Sequence, residues 1–200
     1  MAANPKAALR AELLARRRSL PPGEAELLGA RICGRLRALP AWARAREVLL
    51  YAPVRGEVDV LPLLAELWKR GGRALLPRCR PGGAGELDLA CCTCLEELAP
   101  GAYGIPEPDP GACPALEDFA PDLALVPAVG LDRSGVRLGH GAGYYDRLLA
   151  RPGMAGALLV APAYGFQVRD RLPADPWDRP MDVIVTEDET LWTAQRAAGE

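Results

Sequence analysis

Lysine and histidine are scarce in this 200-residue chain. Of its 24 basic residues only Lys6 and Lys69 are lysines, and His140 is the single histidine. A task that needs a flexible ammonium group therefore falls to one of two side chains. His140 is expected to be a loop or binding contact, since no second imidazole exists to complete a metal site with it.

Long hydrophobic runs are also missing. The longest stretch without a charged residue, 152–168, contains two prolines and three glycines. It is too short and too broken to cross a bilayer as a helix. The first residues lack the basic start, apolar core and small-residue cleavage site of a secretory signal. We expect a cytoplasmic protein without a membrane partner, whose six cysteines are reduced thiols and too few for a disulfide scaffold.

The composition predicts one folded domain built from short elements. Half of the residues are apolar and a quarter are charged, as in ordinary globular proteins. The 21 glycines and 20 prolines predict many stiff connections and no long helix. We expect residues 1–200 to form a single α/β domain, with an N-terminal helical segment of about residues 5–40 packed on it.

Strands and helices are predicted to alternate along the chain. Two helices are expected first, over 5–18 and up to Pro40, and a strand over 47–51 follows. A helix with Asp59 as its N-cap then leads to a second strand over 73–77, which should pair in parallel with the first. The sequence then predicts loops and short strands over 80–121, a strand over 122–127, a helix over 144–150, a strand over 157–160 and the last strand over 182–186. This pattern predicts a three-layer α/β fold, with a mainly parallel sheet and helices on both faces.

The segment 137–146 carries the strongest functional signal. It reads Arg137-Leu138-Gly139-His140-Gly141-Ala142-Gly143-Tyr144-Tyr145-Asp146 and lies just before a predicted helix. Alternating glycines allow backbone turns and a close approach to a ligand, and amides at a helix start bind anions such as phosphate. Arg137 can hold a phosphate and Asp146 can hold the magnesium ion that accompanies a nucleotide. A plain glycine-rich turn remains the alternative.

This segment, together with residues 126–132, resembles the signature of the 5-formyltetrahydrofolate cyclo-ligase family, also called methenyltetrahydrofolate synthetases. Supporting features stand in the family's order along nearly the whole chain. They are Lys6-x-x-x-Arg10, the segment 51–59 with its glutamate, Tyr103-Gly104-Ile105-Pro106-Glu107-Pro108, and 173–187 with Asp178.

The resemblance implies an ATP- and Mg²⁺-dependent cyclisation of 5-formyltetrahydrofolate to 5,10-methenyltetrahydrofolate, with release of ADP and phosphate. In the family's scheme the formyl oxygen attacks the γ-phosphate, and a neighbouring nitrogen then closes the ring and expels phosphate. Such catalysis needs positioning and charge neutralisation rather than a protein nucleophile. The implied partners are the small molecules ATP and a reduced folate, without nucleic acid, and a monomer is expected.

The resemblance also implies roles for individual residues. Those expected to act in catalysis are Lys6, Arg137 and Tyr145. Nucleotide binding is expected from Lys6, Arg10, Arg137, Leu138, Gly139, His140, Gly141, Ala142, Gly143, Tyr144 and Tyr145. Folate binding is expected from Ala52, Glu57, Tyr103, His140, Gly141, Ala142, Gly143 and Tyr144, with Glu57 on the pterin edge and Tyr103 stacked on a ring. Asp146 and Asp178 are expected to hold Mg²⁺.

Each assignment has a structural alternative. Lys6 and Arg10 lie four residues apart and could form a solvated helix face. Asp146, Asp178 and Glu57 could hold turns or a helix end, and the tyrosines could be core residues. The Cys-x-x-Cys in 91–94 could indicate zinc or redox chemistry, but without a second close pair we favour small buried hydrophobic residues on or beside a strand.

Two other function classes remain open at this stage. Residues 1–46 carry ten basic and three acidic side chains, a formal charge of +7 that could serve a nucleic-acid-binding module. Aromatic residues do not interleave with these arginines, Trp42 being the only one there. An enzyme of another class on a similar scaffold, such as a sugar-phosphate isomerase or a CoA transferase, would need a catalytic base or carboxylate for which no local signature stands out.

Overall fold

The computed structural model describes residues 5–83, 85–175 and 178–193. The α-helices of this part are α1 (Pro5–Arg18), α2 (Pro22–Ala38), α3 (Pro40–Arg44), α4 (Pro62–Lys69) and α5 (Tyr144–Leu149). Its β-strands are β1 (Glu47–Leu49), β2 (Arg73–Cys79), β3 (Leu87–Cys92), β4 (Leu98–Pro100), β5 (Pro106–Pro108), β6 (Leu123–Leu125), β7 (Gly130–Asp132), β8 (Arg137–Leu138), β9 (Leu158–Pro162), β10 (Val168–Arg169), β11 (Val183–Val185) and β12 (Thr190–Trp192).

A seven-stranded sheet forms the centre, in the order β12-β11-β9-β6-β1-β2-β3. The five inner strands run parallel, and the edge strands β3 and β12 are antiparallel to their neighbours. Val48 and Leu50 point to the face that α2, α3 and α4 cover, whereas Leu49 points to the face of α5. This alternation has the two-residue period of a strand buried on both sides. The predicted three-layer α/β fold is confirmed.

The N-terminal helix α1 packs beside this sandwich. Leu13 contacts Val129, Leu138 and Leu172, which belong to the segments around the small sheet β10-β7-β8. Because Leu138 opens the glycine-rich segment, this contact brings α1 next to it. A second small sheet, the antiparallel pair of β4 and β5, forms a hairpin in the glycine- and proline-rich middle of the chain.

Two boundary predictions were wrong, and one short helix was not predicted. The helix α4 has Leu61, not Asp59, as its N-cap, because Pro62 occupies the first helical position and the cap residue directly precedes it; Asp59 instead accepts a hydrogen bond from the Leu61 amide at 2.9 Å. The second helix stops before Pro40 as predicted, yet Pro40 also starts the unpredicted α3. The strand β11 is not the last, because the short edge strand β12 pairs with it.

The cysteines of the Cys-x-x-Cys segment lie on and beside the edge strand β3. Cys92 is buried with Cys113 in the main core, and Cys91 packs against the opposite face. The prediction that these cysteines lie on or beside a strand is confirmed for Cys91 and Cys92, of which Cys92 is buried. Among the described residues, no helix combines the length and the apolar character that a membrane span requires.

Candidate active site

A cleft of about 850 Å³ opens where the connections of the parallel sheet change direction. From β1 the chain crosses to β2 on one side, and β6, β9 and β11 follow on the other. Ligands of open α/β sheets bind at this switch point, beyond the carboxyl ends of the strands. The cleft agrees with that rule, since it is lined by Tyr51 and Ala52, which follow β1, and by Pro127, which follows β6.

Every site residue named from the sequence lines this cleft. They are Lys6, Arg10, Ala52, Glu57, Tyr103, Arg137, Leu138, Gly139, His140, Gly141, Ala142, Gly143, Tyr144, Tyr145, Asp146 and Asp178. The residues come from parts of the chain up to 172 positions apart, as the contact between Lys6 and Asp178 shows. Their roles stay predictions, but the fold brings them together.

Two carbonyls of the glycine-rich loop are engaged by arginines, whereas its amides have no protein acceptor among the described residues. Gly141 and Gly143 have φ angles of 100° and 72°, in the region that favours glycine. The carbonyl of Gly139 accepts a hydrogen bond from Arg10 at 2.7 Å, and that of Ala142 accepts one from Arg147 at 2.6 Å. In the described chain the amides of residues 139–145 donate to no protein acceptor, which leaves them available for an anion.

Lys6 reaches the cleft from the first turn of α1. Its Nζ donates to Asp175 at 2.6 Å and lies 3.4 Å from Asp178. The hydrogen bond to Asp175, aided by the charge of Asp178, raises the pKa of Lys6, so the ammonium group is charged at neutral pH. The sequence predictions missed Asp175, and its only signal is its position three residues before Asp178.

Arg137 is held rigidly beside the loop. Its side chain is largely buried, forms an ion pair with Asp146, donates to the carbonyl of Pro127 at 3.3 Å and has its guanidinium carbon 5.8 Å from the centre of the Tyr145 ring. Burial raises the pKa of Tyr145, so its phenol is neutral at physiological pH. Asp146 is about half exposed and faces the solvent side of the cleft.

The carboxylates of the cleft fit magnesium better than a softer metal. Mg²⁺ prefers oxygen ligands and binds through one or two carboxylates together with substrate phosphates. Asp146 and Asp178 supply such oxygens and are balanced by Arg137 and Lys6. Among the described residues, the one close group of three metal-ligating side chains lies elsewhere, so the donors here suit an ion that arrives with a phosphate.

Another part of the cleft is built around Glu57, which is buried and adjoins the glycine-rich loop through His140. Its Oε2 accepts a hydrogen bond from the Val54 amide at 3.1 Å, and its Oε1 lies 3.0 Å from Nε2 of His140. Beneath it, Nη2 of Arg17 lies 3.7 Å from Oε1 and hydrogen-bonds to no described atom. Glu57 is thus placed between a surface imidazole and a buried guanidinium.

Arg17 was missed by the sequence predictions. It is 2% exposed and donates to the backbone carbonyls of Arg55 at 3.0 Å and Ala128 at 3.1 Å. Burial lowers its pKa from the ordinary value, although the charge of Glu57 opposes that shift. A signal existed, because Arg17 follows Leu13 by four residues and so continues the buried stripe of α1.

Tyrosines form the remaining wall. Tyr103, at the tip of the β4–β5 hairpin, is 77% exposed and has a φ of 59°, a left-handed conformation that is uncommon outside glycine. Its hydroxyl lies 3.3 Å from that of Tyr144, and this contact is the main reason that the pKa of Tyr144 is raised to about 12. An exposed ring that overhangs a cleft is placed to contact a ligand rather than the core.

Comparison with known proteins decides the family. The model of the 5-formyltetrahydrofolate cyclo-ligase family matches residues 2–187. The chain belongs to this family. It is therefore an enzyme of the ligase class that acts in folate-dependent one-carbon metabolism, and this result decides against the sugar-phosphate isomerase and CoA transferase alternatives.

Individual relatives agree with the family match. The chain is 36% identical over 197 residues to the 5-formyltetrahydrofolate cyclo-ligase of Mycolicibacterium smegmatis, covering 93% of this chain and 95% of the relative. It is 32% identical over 171 residues to that of Escherichia coli K12, covering 86% and 94%. The NMR structure of the 5,10-methenyltetrahydrofolate synthetase from Aquifex aeolicus superposes with a TM-score of 0.82 at 38% identity, covering 94% of this chain and 93% of the other.

Proposed function

We propose that this enzyme converts 5-formyltetrahydrofolate and ATP to 5,10-methenyltetrahydrofolate, ADP and phosphate in a reaction that requires Mg²⁺. The observation that supports the proposal is the cleft at the switch point, which brings together cations, unpartnered amides and a buried carboxylate. The relatives named above are cyclo-ligases or methenyltetrahydrofolate synthetases. A lining that combines cations and amides with a buried carboxylate suits a triphosphate and a pterin.

The triphosphate is assigned to the cationic side chains around the glycine-rich loop. Lys6, Arg10 and Arg137 project into the cleft around the glycine-rich loop. The loop amides then surround the transferring phosphoryl group, where fixed donors stabilise the charge that develops during transfer. When bound, Mg²⁺ held by Asp146 and Asp178 supplies charge neutralisation of the phosphate oxygens.

The reaction has two chemical steps. The formyl oxygen attacks the γ-phosphorus and ADP leaves, which turns a poor leaving group into a phosphate ester. The neighbouring nitrogen of the folate then attacks the formyl carbon, and the phosphate departs with that oxygen as the ring closes. The protein's residues orient both substrates and offset charge, and we assign to Tyr145, a neutral phenol beside Arg137, the donation of a hydrogen bond to the reacting groups.

The folate is assigned to the part of the cleft that surrounds Glu57. A pterin edge presents adjacent N–H donors, and a carboxylate accepts two such bonds at once. Glu57 is already oriented by Val54 and Arg17, whereas His140 is the partner on the accessible side and must share or yield its place to the folate. Ala52 and the exposed ring of Tyr103 line the walls on which the planar rings can pack.

The test is an absorbance assay for the methenyl product with purified enzyme. Product should form only when 5-formyltetrahydrofolate, ATP and Mg²⁺ are all present, with one ADP released per product. Product formation without ATP, or ADP release that does not depend on the folate, would contradict the proposal. A filter-binding assay with RNA at physiological salt tests the nucleic-acid alternative, and submicromolar affinity would support that alternative instead.

A further inference from the structure

Three metal-ligating side chains meet outside the cleft, and we call them the sulfur cluster: Cys92, Glu97 and Cys113. The Cys92 and Cys113 sulfurs are 3.6 Å apart, and the Cys113 sulfur lies 3.5 Å from Oε2 of Glu97. All three ligand atoms lie within 4.8 Å of one another. The cyclisation gives these residues no task, and none of them lines the cleft.

The spacing of these atoms matches the separations in a zinc site. With Zn–S bonds of about 2.3 Å and Zn–O bonds of about 2.0 Å, a tetrahedral ion holds two sulfurs about 3.8 Å apart and a sulfur and an oxygen about 3.5 Å apart. Two measured separations are already close to these values. Two thiolates and one carboxylate form a softer donor set than the oxygens of the cleft, and such a set selects zinc over magnesium.

The cluster is also partly oriented by its surroundings. Glu97 accepts hydrogen bonds from the amide of Thr93 at 2.6 Å and from its hydroxyl at 2.9 Å, which fixes the carboxylate beside the sulfurs. Cys92 and Cys113 are buried in the main core, so their positions are set by packing. Hydrogen bonds that orient the ligating side chains in this way are usual around metal sites.

The cluster lies at the base of the hairpin that carries Tyr103. Cys92 ends β3 and Glu97 directly precedes β4, while Cys113 follows β5. The Glu97 carbonyl also accepts a hydrogen bond from the amide of Asp109 at 2.8 Å, next to the base of the hairpin. An ion at this point would join both ends of the hairpin to the sheet.

We propose that Cys92, Glu97 and Cys113 bind one zinc ion that closes the base of the β4–β5 hairpin. Binding releases the two thiol protons to solvent and leaves the fourth ligand position to water. The ion has a structural role and takes no part in the cyclisation. The site does not rest on the proposed function, because its ligands lie outside the cleft.

The full-length protein, stripped of metal under reducing conditions, is titrated with Zn²⁺ and analysed by elemental analysis. One zinc per chain is expected. Co²⁺ used as a probe should give the d–d and thiolate charge-transfer bands of a tetrahedral site with two sulfur ligands. Hydrogen exchange at the amides of 98–108 should slow when zinc is bound.

Matched variants test the assignment of the ligands. In Cys113→Ser the zinc affinity should fall about 100-fold and the cobalt bands should disappear. Cys94→Ser, whose side chain is outside the cluster, should retain both the affinity and the bands. If Cys113→Ser does not fold, Glu97→Gln provides the test, because Glu97 is only half-buried. The proposal is overturned by a protein that takes up no zinc, by equal zinc binding in all variants, or by a Cys92–Cys113 disulfide in place of the metal.

Discussion

After the ligands that we propose for them, we call Lys6, Arg137 and their carboxylate partners the phosphate end of the cleft, and Glu57 with Arg17 the folate end. The two groups hold their charges in different ways. At the phosphate end, Lys6 is paired with the partly exposed Asp175, and Arg137 with the half-exposed Asp146, so each pair has a member in contact with solvent. At the folate end, the side chains of Glu57 and Arg17 are only 5% and 1% exposed.

We therefore expect the exposed ion pairs of Lys6 and Arg137 to exchange partners when a ligand binds, and the buried pair of Glu57 and Arg17 to stay together. An exposed ion pair contributes little to stability, so a phosphate and its magnesium ion can replace its partners at small cost. A buried carboxylate and guanidinium were desolvated when the protein folded, and the ligand meets an acceptor that is already oriented. Substitutions at the phosphate end should therefore reduce turnover, whereas those at the folate end should raise KM for the folate and lower stability.

The largest effect is expected at the phosphate end. Asp146→Asn should lower kcat by about 100-fold, or about 3 kcal/mol of transition-state stabilisation, because the amide is a poor magnesium ligand and a poor partner for Arg137. The assay is product absorbance at increasing Mg²⁺, and the variant should also need more Mg²⁺. Asp118→Asn, at an exposed position outside the cleft, is the control. An unchanged Mg²⁺ dependence would remove Asp146 from the metal site.

The next effect concerns the folate end. Glu57→Gln should raise KM for 5-formyltetrahydrofolate about 30-fold, because the neutral amide cannot accept two hydrogen bonds from the pterin edge and leaves the buried charge of Arg17 without its carboxylate. KM for ATP should change less than about twofold, as expected of a group that contacts only one substrate. Steady-state kinetics with each substrate varied in turn measures both values. Equal changes in the two would show that Glu57 supports the whole cleft rather than the folate.

The same contrast explains which site residues the sequence revealed. The glycine-rich loop is contiguous, so its residues could be named from local spacing and from the family resemblance. Lys6, Glu57 and Asp178 were named only through the resemblance, since nothing local distinguishes them from surface charges. The fold class followed from alternating apolar strands and helices, which depend on local periodicity.

Arg17 and Asp175 could not be found in the same way, because their importance comes from tertiary contacts. Arg17 stands between two other arginines, and only its packing on the buried face of α1 separates it from them. The helix α3 and the strand β12 were missed for a related reason. Both are short, and their local pattern is weak until a neighbouring element gives them a partner.

Arg17 permits a sharper test of the folate end. Arg17→Met should raise KM for the folate about 10-fold and lower Tm by about 5–10 °C, since Glu57 loses its buried cation and two backbone carbonyls lose their donor. Arg18→Met is the matched control, because Arg18 is exposed and its side chain hydrogen-bonds to the backbone of its own helix. The measurements are thermal unfolding and folate kinetics. A lower Tm with an unchanged folate KM would make Arg17 a structural residue without influence on Glu57.

The smallest effect is expected at Tyr103, an exposed tyrosine that lines the cleft. Tyr103→Phe removes only the hydroxyl contact with Tyr144 at an exposed ring, so KM for the folate should rise less than about threefold and stability should change by less than about 0.5 kcal/mol. Tyr103→Ala also removes the ring and should raise that KM about 10-fold, in keeping with about 1.4 kcal/mol of stacking. The comparison of the two variants separates the ring from its hydroxyl. If Phe and Ala behave alike, the hydroxyl carries the contact, and the exposed tyrosine acts as a hydrogen-bonding group rather than a stacking surface.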